Sequence, residues 1–530
     1  MSDKLEAYLA ELDTSEPIKA LFRTYGIGYT KLAMGSVMLA MLATLLTGTI
    51  INVAIPQIMG SYGVGQDKAQ WLSTAFLAAA TVGMLTTSWM IQAWGMRLMV
   101  SGTMFLFMLG SLLGGLSPNL EMMIVARILQ GATSGVITPL SMLVIFQLYP
   151  PGKQGVAMGI SSIGAILAPA LGPTIGGLLV DTFNWRYVYY LGVPFSLLCI
   201  PMALLFLPKR AGPKSTLPFD WLGMVSLSTA VTLLLIAFSN GEKEGWSSNI
   251  IIGYFACAIA SAATFIYWQT HSKAPLLNLK LFGYLRFSIF AITAFVFGAG
   301  LFGSTYLIPL FLQLVQGMSP TETGLSMMPA GVVMGMAIPF CGRMADKYNP
   351  GTLISWGAAL FFLSFYLMIA ADANTSFWMF AWWMCIGRLG ISLAMPPMNM
   401  GAIRSVPMSY MSQASGVLNF VRQLGGAFGV NLLSVALARR TEFHLDAIYN
   451  TQRSDNVATL EMLQAIQHRL IATGLPEMDR SILAMQYLAS SLYMQASVSA
   501  FRDSFLIASL VILLTVIPAW FMRKNKGTTH

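Results

Sequence analysis

Gly164-Ala-Ile-Leu-Ala-Pro-Ala-Leu-Gly-Pro-Thr-Ile-Gly-Gly177 is an apolar run punctuated by Gly164, Pro169, Gly172, Pro173, Gly176 and Gly177. Six helix-weakening residues in fourteen would break a helix in water. Inside a bilayer they are tolerated, because neighbouring helices recover the freed backbone groups and small residues let backbones approach closely. The stretch therefore reads as a transmembrane helix pressed against its neighbours.

Composition agrees. The chain has 530 residues, of which 56% are apolar and 10% charged, where a soluble domain carries roughly 25% charged residues. Only a bilayer can solvate that much apolar surface. The 36 methionines read either as packing filler or as an adaptable lining for varied lipophilic substrates. Cys199, Cys257, Cys341 and Cys385 each fall in an apolar run, with no metal-ligand spacing, and read as buried thiols. Met1 to Lys31 lacks a short apolar core followed by a cleavage site and reads as a cytoplasmic tail with an amphipathic helix. No phosphate loop, metal-ligand cluster or nucleophile–base pair is apparent, so the expectation is a protein without enzymatic activity or cofactor.

Fourteen apolar segments of spanning length, about 20 residues each, centre near residues 44, 81, 108, 133, 168, 198, 230, 259, 299, 332, 362, 388, 424 and 511. With the N-terminus inside, the tails and even-numbered loops carry eighteen Lys and Arg residues; the short outer loops carry only Lys68, Arg186 and Lys243. This asymmetry predicts both termini in the cytoplasm, and it accounts for the net charge of +9 through membrane orientation rather than nucleic-acid binding. One outer segment is long, about 438–500. Apolar residues recur at helical spacing over 457–473 and 477–499, on either side of Gly474 and Pro476, which reads as a helical hairpin or as a loosely ordered connector.

The chain repeats itself. Gly342-Arg-Met-Ala-Asp-Lys-Tyr348, after helix 10, corresponds to Ser88-Trp-Met-Ile-Gln-Ala-Trp-Gly-Met-Arg97, after helix 2. Arg127 in helix 4 corresponds to Arg388 in helix 12, and the Gly/Pro run of helix 5 to Gly425-Gly426-Ala-Phe-Gly429 of helix 13. The offset of eight helices predicts an all-α membrane protein in which two six-helix pseudo-symmetric bundles flank an inserted pair, helices 7 and 8. The expected boundaries are a tail over 1–31, bundles over 32–210 and 273–522 with the inserted pair over 211–272, and a tail over 523–530.

This arrangement resembles the fourteen-helix drug:proton antiporters of the EmrB/QacA type in the major facilitator superfamily. The run from Gly164 to Gly177 resembles that superfamily's antiporter signature, and Gly342 to Tyr348 its loop signature of Gly, Asp and a basic residue. Asn52-Val-Ala-Ile-Pro56, Arg127-Ile-Leu-Gln-Gly131, Tyr149-Pro-Pro-Gly-Lys153, Asn184-Trp-Arg186, Pro309-Leu-Phe-Leu-Gln313 and Arg422-Gln-Leu-Gly-Gly426 extend the similarity along nearly the whole chain. The resemblance implies secondary active export of lipophilic drugs or toxic amphiphiles across the cell inner (plasma) membrane by alternating access, driven by protons. The long outer segment is similar to that of Gram-negative exporters that dock a periplasmic adaptor protein and an outer-membrane channel. Two other readings stay open: export of a specific anionic metabolite, such as a siderophore or fatty acid, and a non-transporting scaffold or sensor.

Candidate site residues follow from charge in apolar surroundings. Arg127 lies about 10 Å deep in helix 4 by the helical rise, and an intramembrane guanidinium is a functional candidate by default. It reads as a proton-coupling element, the role the resemblance implies, or as a structural donor to backbone carbonyls beside helix 5. Gln130 is placed to share its network. Thr47, Asn52, Arg388, Asn419 and Arg422 are candidates for the wall of a central cavity, with Arg388 suited to an anionic group.

The family's first helix carries an acid in Leu-Asp-x-Thr-Ile. Here Thr47 stands in its place, and a hydroxyl cannot titrate near neutral pH. None of the 21 acids lies near the middle of a helix. The remaining coupling candidates are Glu322, which also reads as a cap for helix 10, and Asp503, which also reads as an interfacial pair with Arg502. Arg97, Gly342, Asp346 and Lys347 are candidates for a cytoplasmic gating loop, or for plain positive-inside anchoring.

Overall fold

The computed structural model describes residues 16–140, 144–145, 148–149, 171–210, 218–241, 244–272, 275–407, 410–450, 456–471 and 476–523. Gly164 and Pro169 of the opening stretch, and the side chain of Asp346, lie outside them. The described residues are helical throughout, apart from short turns.

After a short helix α1 (Glu16–Tyr25) come α2 (Tyr29–Tyr62), α3 (Trp71–Gly115), α4 (Leu120–Ile137), α5 (171–182) and α6 (Gly192–Phe206). The inserted pair is α7 (Trp221–Asn240) and α8 (Asn249–His271). The second bundle follows as α9 (Leu285–Leu314), α10 (Pro320–Lys347), α11 (Pro350–Met368), α12 (Phe377–Arg404) and α13 (Met411–Tyr449). Last come α14 (Val457–Leu470), α15 (Glu477–Leu513) and α16 (Val516–Arg523). Below, the near face is where α2 begins and the far face is where it ends.

Twelve stretches among the described residues are long and apolar enough to span a bilayer. One of them, Gln66–Gly115, has 50 residues and is broken at Gly95, whose φ of 78° and ψ of 161° leave the helical region. It crosses twice, turning at the near face. The fifth span is described only through its far half, α5. Counting that stretch as two crossings makes thirteen, and α5, which is not among the twelve, adds a fourteenth, consistent with the number expected from the sequence.

Local chemistry sets the helix ends. Gly63, at φ 60°, closes α2 in the left-handed conformation that glycine enters freely. Side chains of Asn119, Asp220, Ser248, Ser319, Asn349 and Ser376 accept backbone N–H groups at the starts of α4, α7, α8, α10, α11 and α12.

The apolar interior of the first bundle is split. One cluster, from Ile18 and Phe22 through Val37, Met104 and Cys199, fills its near half; another, with Leu46, Ile58, Leu72, Met123 and Tyr189, fills its far half. A single large cluster fills the second bundle. Cys199, Cys341 and Cys385 are buried as expected, but Cys257 is exposed. The reason is that, among the described elements, α8 packs chiefly against α7 and the one-turn helix Leu279–Gly283, leaving most of its surface to lipid.

The inserted pair is tied at its near end by one carboxylate. Asp220 accepts from Gly223 N at 2.8 Å, Trp268 Nε1 at 2.7 Å and Gln269 Nε2 at 2.7 Å, while Gln269 Oε1 accepts from Leu277 N at 3.0 Å. A Cβ on Gly223 would lie 2.3 Å from Asp220 Oδ2 and 2.4 Å from Gln269 Nε2. Asp220→Leu should thus orphan two buried donors and one part-buried indole N–H and lower stability by about 2 kcal/mol or more, seen as earlier thermal unfolding in detergent.

The helices α13 and α15, of 39 and 37 residues, reach nearly 60 Å at 1.5 Å per residue, about twice the hydrocarbon core. They project past the far face, where α14 packs against α15 as a hairpin. At its base Asp503 Oδ2 meets Arg440 Nε at 2.7 Å and His444 Nε2 at 2.7 Å. The expected partner Arg502 turns away instead, donating to Ala371 O at 3.2 Å. The helical spacing explains this: adjacent residues on one helix do not face each other.

Candidate functional site

Between the two apolar clusters of the first bundle lies a polar layer built around Arg127. The guanidinium is fully buried. Its Nε donates to Leu72 O at 2.7 Å, and its Nη1 donates to Thr47 O at 3.1 Å and to Gln130 Oε1 at 3.0 Å. Gln130 Nε2 passes the chain on to Ser111 Oγ at 3.0 Å, and the Phe76 ring lies 4.2 Å from the Arg127 carbon. Nη2 has no acceptor among the described residues. One side chain of α4 thereby joins α2 and α3, and through Gln130 reaches the second limb of α3. An arginine suits the place because its five donors form a rigid fork and its charge persists when buried.

The fork can reach those carbonyls because α3 and α4 almost touch. A Cβ on Gly131 would lie 2.2 Å from Phe76 O, one on Gly135 2.0 Å from Ala80 O, and one on Gly83 2.2 Å from Ala132 O. Small residues are what permit this approach.

The second bundle carries its arginines differently. Arg422 donates from Nη1 to Asn399 Oδ1 at 3.2 Å and from Nη2 to Asn419 Oδ1, joining α12 and α13. Arg388, on α12, makes no side-chain hydrogen bond or ion pair with a described residue. It lines a small cavity with Ser304, Ser364, Phe365 and Ile391. The two repeats thus place corresponding arginines in unlike settings: Arg127 bonds three acceptors, and Arg388 none among the described residues.

Thr47 and Asn52 do not stand on an open cavity wall as expected. Thr47 is buried, and its hydroxyl donates to Ala43 O at 2.8 Å within α2; its backbone carbonyl is the part that serves Arg127. Asn52 is buried in the seam between bundles, donating to Thr305 O at 3.0 Å and accepting from Ser73 Oγ at 2.6 Å. At those depths Thr47 is satisfied within its own helix and Asn52 by neighbouring helices in this conformation.

Asn52 belongs to a row of contacts between the bundles. Gln57 Nε2 donates to Gln313 Oε1 at 3.2 Å, and Gln313 Nε2 to Val53 O at 2.8 Å. Thr174 Oγ1 donates to Gly324 O at 2.9 Å, and Asp181 Oδ2 accepts from Thr321 N at 2.7 Å. All of these lie in the far half. Gly177 and Gly324 make the seam possible: a Cβ on the first would sit 2.1 Å from Pro320 O, and one on the second 2.5 Å from Pro173 O. Gly172 and Gly176 pack inward instead, against Thr49 and Ile50 of α2. Gly425 and Gly429 of α13 do the same against Phe295 and Ala299 of α9, the counterpart predicted by the repeat. Pro173 adds its carbonyl to the seam.

At the near face, Arg97 Nε donates to Leu207 O at 2.8 Å, and Arg210 Nη1 to Ala93 O at 2.9 Å. Gly95 turns the loop between them, with Arg210 pressed against it. Gly342, expected to allow close helix approach, has open space around its Cβ position, and Lys347 is exposed. Gly342 and Lys347 lie on the last turns of α10 rather than in a loop, and Gly342 has no close neighbour here because the bundles meet at the other face.

Glu322 closes a capping box: Ser319 N donates to its Oε2 at 2.8 Å, and Glu322 N donates to Ser319 Oγ at 3.2 Å. Asp503 sits at the hairpin base with Arg440 and His444. Sequence reading overlooked Gln57, Gln313, Asp181 and Gly95. For Asp181 the available signal was an acid four residues after Gly177 at the end of an apolar span; for Gly95, a glycine between two such spans.

The sequence profile of the Major Facilitator Superfamily matches residues 37–430. The chain is 28% identical to "Multidrug export protein EmrB" of Haemophilus influenzae over 93% of its length and 95% of that protein's. It is 30% identical to "Multidrug transporter protein MdtP" of Bacillus subtilis, covering 77% of this chain and 76% of that protein. Its fold matches the crystal structure of a POT family transporter with a TM-score of 0.62 at 15% identity, over 93% and 96% of the two chains. It also matches an inward-facing bacterial homologue of the lysosomal transporter Spinster with a TM-score of 0.60 at 15% identity, over 94% and 99%.

Proposed function

The chain belongs to the Major Facilitator Superfamily, and we propose that it exports lipophilic compounds, drugs or other toxic amphiphiles, by alternating access. The observation that carries the reading is the seam. Hydrogen bonds and backbone contacts between the bundles gather in the far half, around glycines, where two rigid bodies can part and rejoin. The eighteen-to-three distribution of Lys and Arg supports a cytoplasmic near face, and on this reading a molecule entering there leaves by the far face. Relatives named as multidrug exporters support the substrate class.

Proton coupling is part of this proposal. With no acid in mid-helix, Asp503 is the favoured carrier over Glu322, because its carboxylate meets a second titratable group, His444. Arg127 and Gln130 are the charge relay of the first bundle. The α14–α15 hairpin is the docking element for a periplasmic adaptor and, beyond it, an outer-membrane channel; deleting residues 450–490 should abolish resistance while leaving transport in vesicles.

Purified protein in liposomes tests the core claim. Lipophilic cations should be moved against their gradient only when a pH gradient is imposed; movement indifferent to that gradient would refute the coupling, and absence of any movement would leave a scaffold or sensor. A second reading, export of an anionic metabolite, is favoured by the Arg388 guanidinium, which has no side-chain hydrogen bond or ion pair among the described residues and lines a cavity. Arg388→Gln should then lower anion flux tenfold or more and spare cation flux.

A further inference from the structure

At the far seam, α10 begins with a specific deficit. The first turn of a helix has N–H groups without intrahelical partners. Pro320 has none to offer, and Glu322 N is taken by Ser319 Oγ. Thr323 N reaches Ser319 O at 2.9 Å. Thr321 N is the donor that α10 does not satisfy itself. Its acceptor comes from the other bundle, Asp181 Oδ2 on α5 at 2.7 Å. A carboxylate at a helix N-terminus is favoured both by the hydrogen bond and by the helix dipole.

Resting on the alternating-access reading above, we propose that Asp181 is a positioning residue: the charged latch that holds the far face shut and sets the balance between closed and open states. The other hydrogen bonds across the seam described above are made by amides, hydroxyls and carbonyls. Asp181 is the one that brings an ionised group, and it does so at the rim, where the bundles part first. It bears on no other charge directly. On α10 the nearby acid Glu322 is folded back onto Ser319, and in the turn after α5 Arg186 lies over the Trp185 ring at 4.4 Å. The facing helix α2 carries no charge from Leu32 to Tyr62. Asp181 stands exposed at the rim, and opening the far face strips it of its Thr321 donor, so the latch contributes only to the closed state.

The test is a distance measurement on full-length protein in nanodiscs. Spin labels at Gly60→Cys and Asn374→Cys, in a background with the four native cysteines replaced, report the far-face separation by electron–electron resonance. Asp181→Ala should raise the open-to-closed ratio about fivefold, the scale of a surface carboxylate at a helix end. Asp181→Glu, which keeps the charge, should return most of the closed population. Gly177→Val serves as the control, because it wedges the seam by volume. A Gly177→Val protein that opens while Asp181→Ala keeps the wild-type ratio overturns the latch. If neither variant alters the distance, the alternating-access reading itself fails.

Discussion

Arg127→Leu should abolish export and sharply lower stability, while Arg127→Lys should abolish export with most of the protein still folded. The leucine variant leaves Leu72 O, Thr47 O and Gln130 Oε1 without the donor they now share. Leu72 O and Thr47 O keep their own helical donors, so the main loss is at Gln130 Oε1, where a buried acceptor left unmet costs about 1–3 kcal/mol, together with the link between α2, α3 and α4 in the layer that separates two apolar clusters. The lysine variant keeps the positive charge but replaces a planar fork by a single point. It can satisfy one or two of the three acceptors, so the register of α2, α3 and α4 around the layer is lost. Export by the lysine variant should fall at least tenfold with unchanged abundance. Near-normal transport would reduce Arg127 to a generic charge and remove the layer from the mechanism. Gln130→Leu should give a weaker form of the same defect, because it frees one donor site and orphans Ser111.

Gly177→Val should hold the far face open and stop the cycle. The clash it introduces is not with its own bundle. The Cβ would lie 2.1 Å from Pro320 O and 2.7 Å from Thr321 N, both backbone atoms of the opposing bundle. Backbone cannot swing aside like the end of a side chain, so the bundles must separate. Because the first bundle keeps its internal packing, the protein should be made and inserted normally. Gly324→Val should do the same from the other side of the seam, against Pro173 O and Thr174 Cα. In both variants a cysteine placed at Thr305, beneath the seam, should react with a membrane-impermeant maleimide from the far side at least tenfold faster than in the parent. Slow labelling together with intact export would mean that the seam is not the gate.

These two outcomes fall on residues of different legibility. Arg127 was legible because a guanidinium in an apolar run is costly unless it is partnered; the motif from Arg127 to Gly131 also announced a glycine one turn on. The seam was half legible. The density of Gly and Pro in 164–177 announced close backbone approach, yet nothing in the order of residues separates Gly176, which packs on α2 of its own bundle, from Gly177, which packs on α10 of the other. One residue turns a helix face by about 100°, and which partner stands there is a property of assembly. Asp503 is a further case. Adjacency suggested Arg502, whereas the fold brings Arg440 and His444 from a helix some 60 residues earlier.

By itself the sequence determined the solvent, the helical class, the approximate spans, the repeat and the asymmetry of charge. Each follows from composition or from periodicity along one chain: apolar runs match the bilayer, and glycines and prolines mark where it is crowded. Only the tertiary structure decided that Arg127 serves two backbone carbonyls while Arg388 serves none, that Thr47 contributes its carbonyl rather than its hydroxyl, and that the bundles close at the far face with Asp181 on Thr321. Those are pairings between helices distant in sequence, and a buried polar group takes whichever partner packing sets within about 3 Å of it.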